Sequence, residues 1–132
     1  MLTGFRLALG GAQDYFGVMP DLSTYAKALA NGYPVSAFGG RREVMQTLNR
    51  AVITTTYAGE TLSLAAAAAT LDVLAEEPVL DHIWRMGKRL QAGFDAAAKA
   101  LGLEAQSYGL PPAVQFRFSR DAGAEAAAQH VF

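Results

Sequence analysis

The chain has 132 residues, of which 52% are hydrophobic and 17% charged, and its formal net charge at pH 7 is −1. That length can bury one modest hydrophobic core, so size alone favours a single domain. The composition and near-zero charge predict neither disorder nor a surface that binds nucleic acid or another polyanion. Cysteine is absent from the sequence, which excludes disulfide bonds and thiolate metal sites.

Histidine spacing and hydropathy argue against a metalloprotein, a secreted protein and a membrane protein. His82 and His130 lie far apart, without the spacing of metal ligands. The sequence does not open with a basic region followed by an apolar one, as a secretory signal would. Its longest low-charge stretch, residues 61–71, is too short to cross a bilayer and is mostly alanine. We therefore expect a cytoplasmic protein with no metal site and no membrane segment.

The first clear pattern in chain order surrounds Lys27. Residues 22–26 alternate between two faces, which predicts a strand that ends at this lysine. A turn-rich segment follows at 31–34, and a second apolar run at 35–38 ends in two glycines. Small and apolar neighbours would partly desolvate the amine and favour its neutral, nucleophilic form, which suits a lysine that forms a Schiff base. Spacing alone favours a plainer interpretation, a loop lysine beside a hairpin.

The middle of the chain predicts two helices separated by a polar turn. Residues 41–49 favour a short surface helix with Val44 and Leu48 on one face. The segment 52–60, VITTTYAGE, is β-prone until glycine breaks it, and a threonine hydroxyl there can cap the next helix or bind an anion. Residues 61–75 predict a helix whose alanines allow close packing against a sheet or a partner, and Pro78 follows its end.

The last part of the chain predicts a long amphipathic helix, a turn, a strand and a further helix. One apolar stripe runs along residues 79–101, and Gly102 is a plausible C-cap; the stripe consists of Leu80, Ile83, Gly87, Leu90, Phe94, Ala97 and Leu101. Residues 109–112 predict a turn, 113–118 a strand with alternate residues inward, and 121–132 an alanine-rich helix. We expect His82 to be an exposed histidine and Trp84 a structural aromatic.

Several motifs, in order and at matching spacing, resemble the class III aminotransferases, most closely their glutamate-1-semialdehyde aminomutase-like branch. These motifs are TGFR at 3–6, GGAQDYFGVMPDL at 10–22, ALANGYPVSA after Lys27, and GGRREVM at 39–45. The resemblance implies the α/β fold of the fold type I pyridoxal-phosphate-dependent transferases. It assigns residues 1–77 to the remainder of the cofactor-binding large domain and residues 78–132 to an incomplete small C-terminal α+β domain.

The resemblance also implies a site. Lys27 would be both the catalytic residue and the cofactor-binding one, forming a Schiff base with pyridoxal 5'-phosphate and moving a proton at the substrate's α-carbon. Thr56 would bind the cofactor phosphate of the neighbouring subunit, in a homodimer with a shared active site. The substrate would be a small amino acid, amino ketone or amino aldehyde, with no nucleic acid partner. Tyr33 and Ser36, which flank the lysine loop, are interpreted as packing or turn residues.

The chain departs from the family pattern in ways that leave alternatives open. In the family, TGFR follows an Asp-Glu-Val strand end whose aspartate pairs with the pyridine nitrogen. That motif, the phosphate cradle and the stacking aromatic are missing from these 132 residues, and Glu60-Thr61 replaces the frequent Asn-Pro. We therefore expect a C-terminal-side fragment with little or no turnover by itself. A sister activity (aminomutase, decarboxylase or racemase) stays open, as does a non-catalytic helical interaction module or the remnant of a truncated gene.

Overall fold

A computed structural model describes residues 4–53, 55–57 and 59–119. The chain divides into two compact units, residues 1–80 and residues 81–132. The predicted assignment of residues 1–77 and 78–132 to a large and a small domain remains a prediction. Within the described part of the chain, none of the helices has the length and apolar character needed to cross a membrane.

The first unit combines short helices, one two-stranded hairpin and one long helix. Its helices are α1 (Gly4–Leu7), α2 (Ala12–Phe16), α3 (Arg42–Met45) and α4 (Thr61–Glu76), and its strands are β1 (Leu22–Tyr25) and β2 (Ala37–Gly40). Two 3-10 turns, Lys27–Leu29 and Gln46–Arg50, complete it. The predicted helix over 41–49 is thus confirmed in its first half and continues as a 3-10 turn.

The hairpin confirms the strand predicted before Lys27. Strands β1 and β2 pair antiparallel, with Leu22 opposite Gly40 and Tyr25 opposite Ala37. Strand β2 begins two residues later than its apolar run and includes both glycines. Gly40 permits the close approach of the strands, because a Cβ there would collide with the carbonyl of Asp21.

The core of the first unit lies between the turn after β1 and helix α4. Leu29, Ala30 and Ala67 are buried, and five partly buried side chains pack against them: Phe5, Tyr25, Val35, Ala66 and Leu71. Helix α4 confirms the predicted helix, and its packing against a partner remains a prediction. Its buried residues are Ser63 and Ala67, because a single turn of backbone packs against it.

The segment before α4 contains the predicted turn but differs from its prediction in two respects. The described residues 52–53, 55–57 and 59–60 form no strand, and Thr56 lies in a turn. The helix is capped by the carboxylate of Glu60 and not by a hydroxyl. Isolated β propensity does not produce a strand where the described neighbours offer no strand to pair with.

The second unit is built on α5, Val79–Ala100, whose first two residues belong to the first unit. The predicted helix is confirmed, and Gly102 ends it with a left-handed φ of 66°. The predicted stripe is only partly correct, because the buried residues are Gly87 and Ala98 while Leu90 and Leu101 are 53% and 72% exposed. Gly87 is buried because the backbone of Pro111 lies where a side chain would be.

A second hairpin packs on α5. Strand β3 (Gln106–Tyr108), which the sequence analysis missed, pairs antiparallel with β4 (Gln115–Arg117), inside the predicted strand 113–118. The Phe94 ring lies 4.4 Å from that of Phe116. Phe118 also packs on Phe94, with 5.9 Å between the ring centroids, although it is 49% exposed. His82 is exposed as expected, whereas Trp84 is half-buried. The predicted helix at 121–132 lies outside the described residues.

Candidate active-site loop

Lys27 lies immediately beyond the hairpin strand β1, at the first position of a 3-10 turn. Its backbone is in the left-handed region, with φ of 58°, although the preceding Ala26 is extended. The turn is closed by a hydrogen bond from the Leu29 N–H to the Ala26 carbonyl at 3.3 Å. The predicted strand-to-loop position of the lysine is therefore confirmed.

The backbone of Lys27 is strained. Among the described residues, Lys27 and Asn31 are the non-glycine residues with positive φ. Asparagine tolerates this conformation. For a residue such as lysine it costs about 1–2 kcal/mol of conformational energy, because Cβ approaches the following carbonyl. Strain of this kind persists where the surrounding structure imposes it, and it is frequent at functional sites.

The expected desolvation of Lys27 is wrong. The side chain is exposed, and no hydrogen bond or ion pair is recorded for it within the described ranges. The cause is the direction of the 3-10 turn, which buries Leu29 and Ala30 against Ala67 and leaves the lysine outside the core. The amine is thus hydrated but freely reachable from solvent.

Thr56 lies in a different place from Lys27, in the exposed turn before α4. The described residues include no hydrogen bond between the two side chains. The turn that starts at Lys27 packs on α4 through Leu29 and Ala67, whereas the turn that holds Thr56 precedes α4 and is exposed. The roles of both residues remain predictions. Tyr33 and Ser36 are exposed in the loop between β1 and β2.

The positive end of α4 is occupied by the chain's own carboxylate. Glu60 accepts hydrogen bonds from the backbone N–H groups of Leu62 at 2.8 Å and Ser63 at 2.5 Å. The nearby Ser63 hydroxyl, and then the N–H groups of Ser63 and Leu62 from which Glu60 accepts hydrogen bonds, lower the pKa of Glu60. An anion bound nearby cannot use these N–H groups. Sequence analysis missed this cap because Ser, Thr, Asp and Asn are the usual capping residues.

An apolar cleft of about 400 Å³ is lined mainly by residues of α2, β1 and the segment between them. Gln13, Phe16, Val18 and Tyr25 are among its lining residues, and Lys27 and Thr56 are not. The Ser23 hydroxyl donates a hydrogen bond to Gln13 Oε1 at 2.5 Å beside it. The described residues contain no group of three or more His, Asp or Glu side chains that could hold a metal ion. The cleft is therefore a feature separate from the predicted site.

Comparison with known proteins places this loop in a family. The family model described as aminotransferase class-III matches residues 3–106. The glutamate-1-semialdehyde 2,1-aminomutase of Acetivibrio thermocellus is 44% identical over 103 residues, 75% of this chain and 24% of that protein. The enzyme of the same name from Methanothrix thermoacetophila is 43% identical over 107 residues, 79% of this chain and 25% of that protein.

Solved structures agree with this placement. FumI of Sphingopyxis sp. MTA144, solved in its PLP internal aldimine form, matches 89% of this chain and 28% of that one at 33% identity, with a TM-score of 0.83. An omega-transaminase from Sphaerobacter thermophilus matches 92% of this chain and 29% of that one at 26% identity, with a TM-score of 0.79.

The chain belongs to the class III aminotransferase family, and the predicted resemblance is confirmed. Its described residues form part of the α/β fold of fold type I pyridoxal-phosphate-dependent transferases. It spans about a quarter of the length of the curated relatives that it matches.

Proposed function

We propose that this chain carries the lysine segment of a pyridoxal-phosphate-dependent amino-group transfer, with Lys27 as the residue that binds the cofactor. The observation that carries the proposal is a lysine with a strained backbone and a reachable amine, placed directly after β1 in a chain of this family. The names of the relatives favour an aminomutase or a transaminase and do not separate the two.

The residues present fit the cofactor. The amine of Lys27 is exposed, so an aldehyde can reach it, and the exposed hydroxyl of Thr56 can donate a hydrogen bond to a phosphate. When bound, pyridoxal phosphate supplies that aldehyde and an electron sink for the substrate's α-carbon. The backbone N–H groups of Leu62 and Ser63 at the start of α4 are not available to a phosphate, because both donate hydrogen bonds to Glu60.

Lys27 and Thr56 take different roles in this proposal. Lys27 would hold the cofactor and then carry a proton between the α-carbon of a small amino acid, amino ketone or amino aldehyde and the C4′ position of the cofactor. Thr56 holds the phosphate bound by a second copy of the chain, in a homodimer located in the cytoplasm. We expect little or no turnover from these 132 residues alone, because the ring-pairing aspartate, the stacking aromatic and the phosphate cradle of the family pattern are missing from them.

Absorbance of the cofactor-bound lysine tests the proposal. Titration of the chain with pyridoxal phosphate should give a saturable absorbance change that Lys27→Ala abolishes. Lys88→Ala is the matched control, because Lys88 is also exposed but lies on α5. Equal signals from the Lys27→Ala and Lys88→Ala variants would overturn the proposal.

One observation favours a second function, a non-catalytic interaction module. Leu62 and Val73, which lie on the same side of α4 about three turns apart, are 60% and 45% exposed, and apolar side chains that share an exposed side of a helix are available to a partner. Stable oligomers without cofactor uptake would support this function over amino-group transfer.

A further inference from the structure

The strained backbone of Lys27 lies between two anchored segments. Two residues before it, the ring of Tyr25 lies 5.6 Å from that of Phe5, with the planes tilted by 32°. Two and three residues after it, Leu29 and Ala30 are 7% and 1% exposed. Phe5 and Tyr25 pack against the cluster that contains Leu29 and Ala30. One packed cluster therefore holds the chain on both sides of the lysine.

The environment of the Tyr25 ring is tightly defined. A Cβ on Gly11 would lie 3.3 Å from Tyr25 Cε1, and a Cβ on Gly4 would lie 3.6 Å from Cδ1. The Gly11 contact would be tighter than usual, so the absence of a side chain there gives the ring room, whereas a Cβ on Gly4 would be in ordinary contact. Tyr25 also pairs with Ala37 across the hairpin. The backbone around Gly4 and Gly11 limits one side of the ring, and the pairing with Ala37 fixes the end of β1. The ring also lines the apolar cleft described above.

The lysine side chain does not itself explain the strain. It is exposed, and no hydrogen bond or ion pair is recorded for it in the described part of the chain. The left-handed conformation is thus imposed by the flanking anchors, and a residue held in this way presents its side chain in a restricted set of directions.

We propose that Tyr25 is a positioning residue for Lys27. Its ring fixes the end of β1, so that Lys27 keeps its left-handed backbone and directs its amine toward one region of space. The proposal rests on the proposed role of Lys27. It adds a residue that touches neither substrate nor cofactor and acts through the lysine.

Site-selective modification of the three lysines, Lys27, Lys88 and Lys99, tests it. The chain is treated with pyridoxal phosphate, reduced with borohydride and mapped by peptide mass, and a parallel sample is treated with trinitrobenzenesulfonate. We expect Tyr25→Ala to lower the cofactor labelling of Lys27 relative to Lys88 by about tenfold or more, since small misplacements of a reacting group have effects of that size. Tyr25→Phe should restore the wild-type ratio.

Two further variants separate positioning from folding. Phe94→Ala removes a ring stacked elsewhere, 4.4 Å from Phe116, and should lower stability while leaving the labelling ratio unchanged. Tyr25→Leu keeps apolar volume without the flat ring, and replaces Tyr25→Ala if that variant does not fold. A folded Tyr25→Ala or Tyr25→Leu variant with the wild-type ratio would overturn the inference.

The same data distinguish failure of the inference from failure of the proposed function. If the wild-type chain shows no preference for Lys27 over Lys88 and Lys99 with pyridoxal phosphate, the proposed role of Lys27 fails and the inference fails with it. If wild type shows that preference and the Tyr25 variants keep it, the inference alone fails. A fall in trinitrobenzenesulfonate labelling parallel to the fall with the cofactor would indicate loss of amine accessibility, which also contradicts positioning.

Discussion

At the scale of single residues, the unfavourable backbone conformation of Lys27 is maintained by the burial of residues that follow it in the chain. Its φ of 58° is unfavourable for a lysine, and the buried Leu29 and Ala30 stabilise the turn that imposes it. The chain therefore keeps an exposed cationic side chain at a position where glycine would be less strained. Such a choice is typical of a residue retained for its chemistry.

The strain at Lys27 predicts an unusual order of stability. Lys27→Gly should be more stable than Lys27→Ala by about 1 kcal/mol, because glycine adopts positive φ without a Cβ clash. In an ordinary loop or helix, alanine would be equal or better. Urea unfolding of both variants measures the difference. A more stable alanine variant would show that the left-handed backbone at this position carries no strain.

Glu60 predicts a pH dependence of the start of α4. Its pKa in the folded chain is below the ordinary value of 4.5, so the unfolded state binds the proton more readily. The stabilisation is present above pH 4.5 and is lost as the pH falls through the lowered pKa. Glu60→Gln should therefore be less stable than wild type at neutral pH, and the two should converge in acid.

Thermal unfolding midpoints across this pH range check the Glu60 prediction. Glu104→Gln is the matched control, since Glu104 is an exposed carboxylate beyond the end of α5. The difference between its unfolding midpoint and that of wild type should stay constant as the pH changes. If the unfolding midpoint of Glu60→Gln also differs from that of wild type by a constant amount at every pH, the charged Glu60 cap does not stabilise the chain.

The sequence predicted the position of Lys27 in the chain's secondary structure correctly, but not the surroundings of its side chain. The alternation at residues 22–26 located Lys27 at the end of a strand, because strand periodicity is a local property. Exposure of the amine and its positive φ depend on how Leu29 and Ala30 reach Ala67, which is 37 residues further along the chain from Ala30. Packing of that range is not encoded in local spacing.

At the scale of elements, Gly87 and Gly93 form a matched pair on α5. A Cβ on Gly87 would collide with the carbonyl of Pro111 and lie 2.9 Å from its Cα, whereas a Cβ on Gly93 meets nothing within 4 Å. Gly87→Ala should destabilise the second unit by about 1–3 kcal/mol through overpacking. Gly93→Ala should stabilise the same helix by about 0.5–1 kcal/mol, since alanine is the better helix former.

Denaturant unfolding of both glycine variants, followed by circular dichroism, tests the packing of the hairpin on α5. The account predicts opposite signs for the two changes in the free energy of unfolding. Equal stabilisation by both alanines would mean that Pro111 does not approach the helix as closely as the structure describes.

The long helices were predictable and the hairpins only in part. Helices α4 and α5 have strong propensity and periodicity over many turns, so both were predicted to within one or two residues. Strand β3 was missed because Gln106–Tyr108 is short and lacks apolar alternation; it is held by β4 and by hydrogen bonds from Ser107 to Asp95. The buried face of α5 contains Gly87 and Ala98 and not the larger residues of the predicted stripe. Close contact with the Pro111 backbone requires a small residue at this position.

At the scale of the whole molecule, the chain combines a small core with many exposed apolar side chains. The buried hydrophobic residues of the first unit are Leu7, Leu29, Ala30 and Ala67, while Met19 and Val52 are 90% and 92% exposed. Large exposed apolar side chains favour association. That surface is consistent both with the proposed homodimer and with the interaction module.

Association through α4 can be tested directly. Leu62→Lys together with Val73→Lys, on the same side of α4, should weaken self-association by about tenfold or more, because a charge placed in an apolar interface loses its hydration. Leu101→Lys, at a position 72% exposed beyond α5, is the control and should leave association unchanged. Sedimentation over a range of protein concentrations provides the measurement. Equal association of the two variants would exclude α4 as the interface.

The most direct test of the central claim is the site at which pyridoxal phosphate becomes attached. The wild-type chain is incubated with less than one equivalent of cofactor, reduced with borohydride and mapped by peptide mass. The account predicts attachment at Lys27 in clear preference to Lys88 and Lys99, although all three side chains are exposed. Attachment spread evenly over the three lysines would contradict Lys27 as the cofactor lysine of this chain.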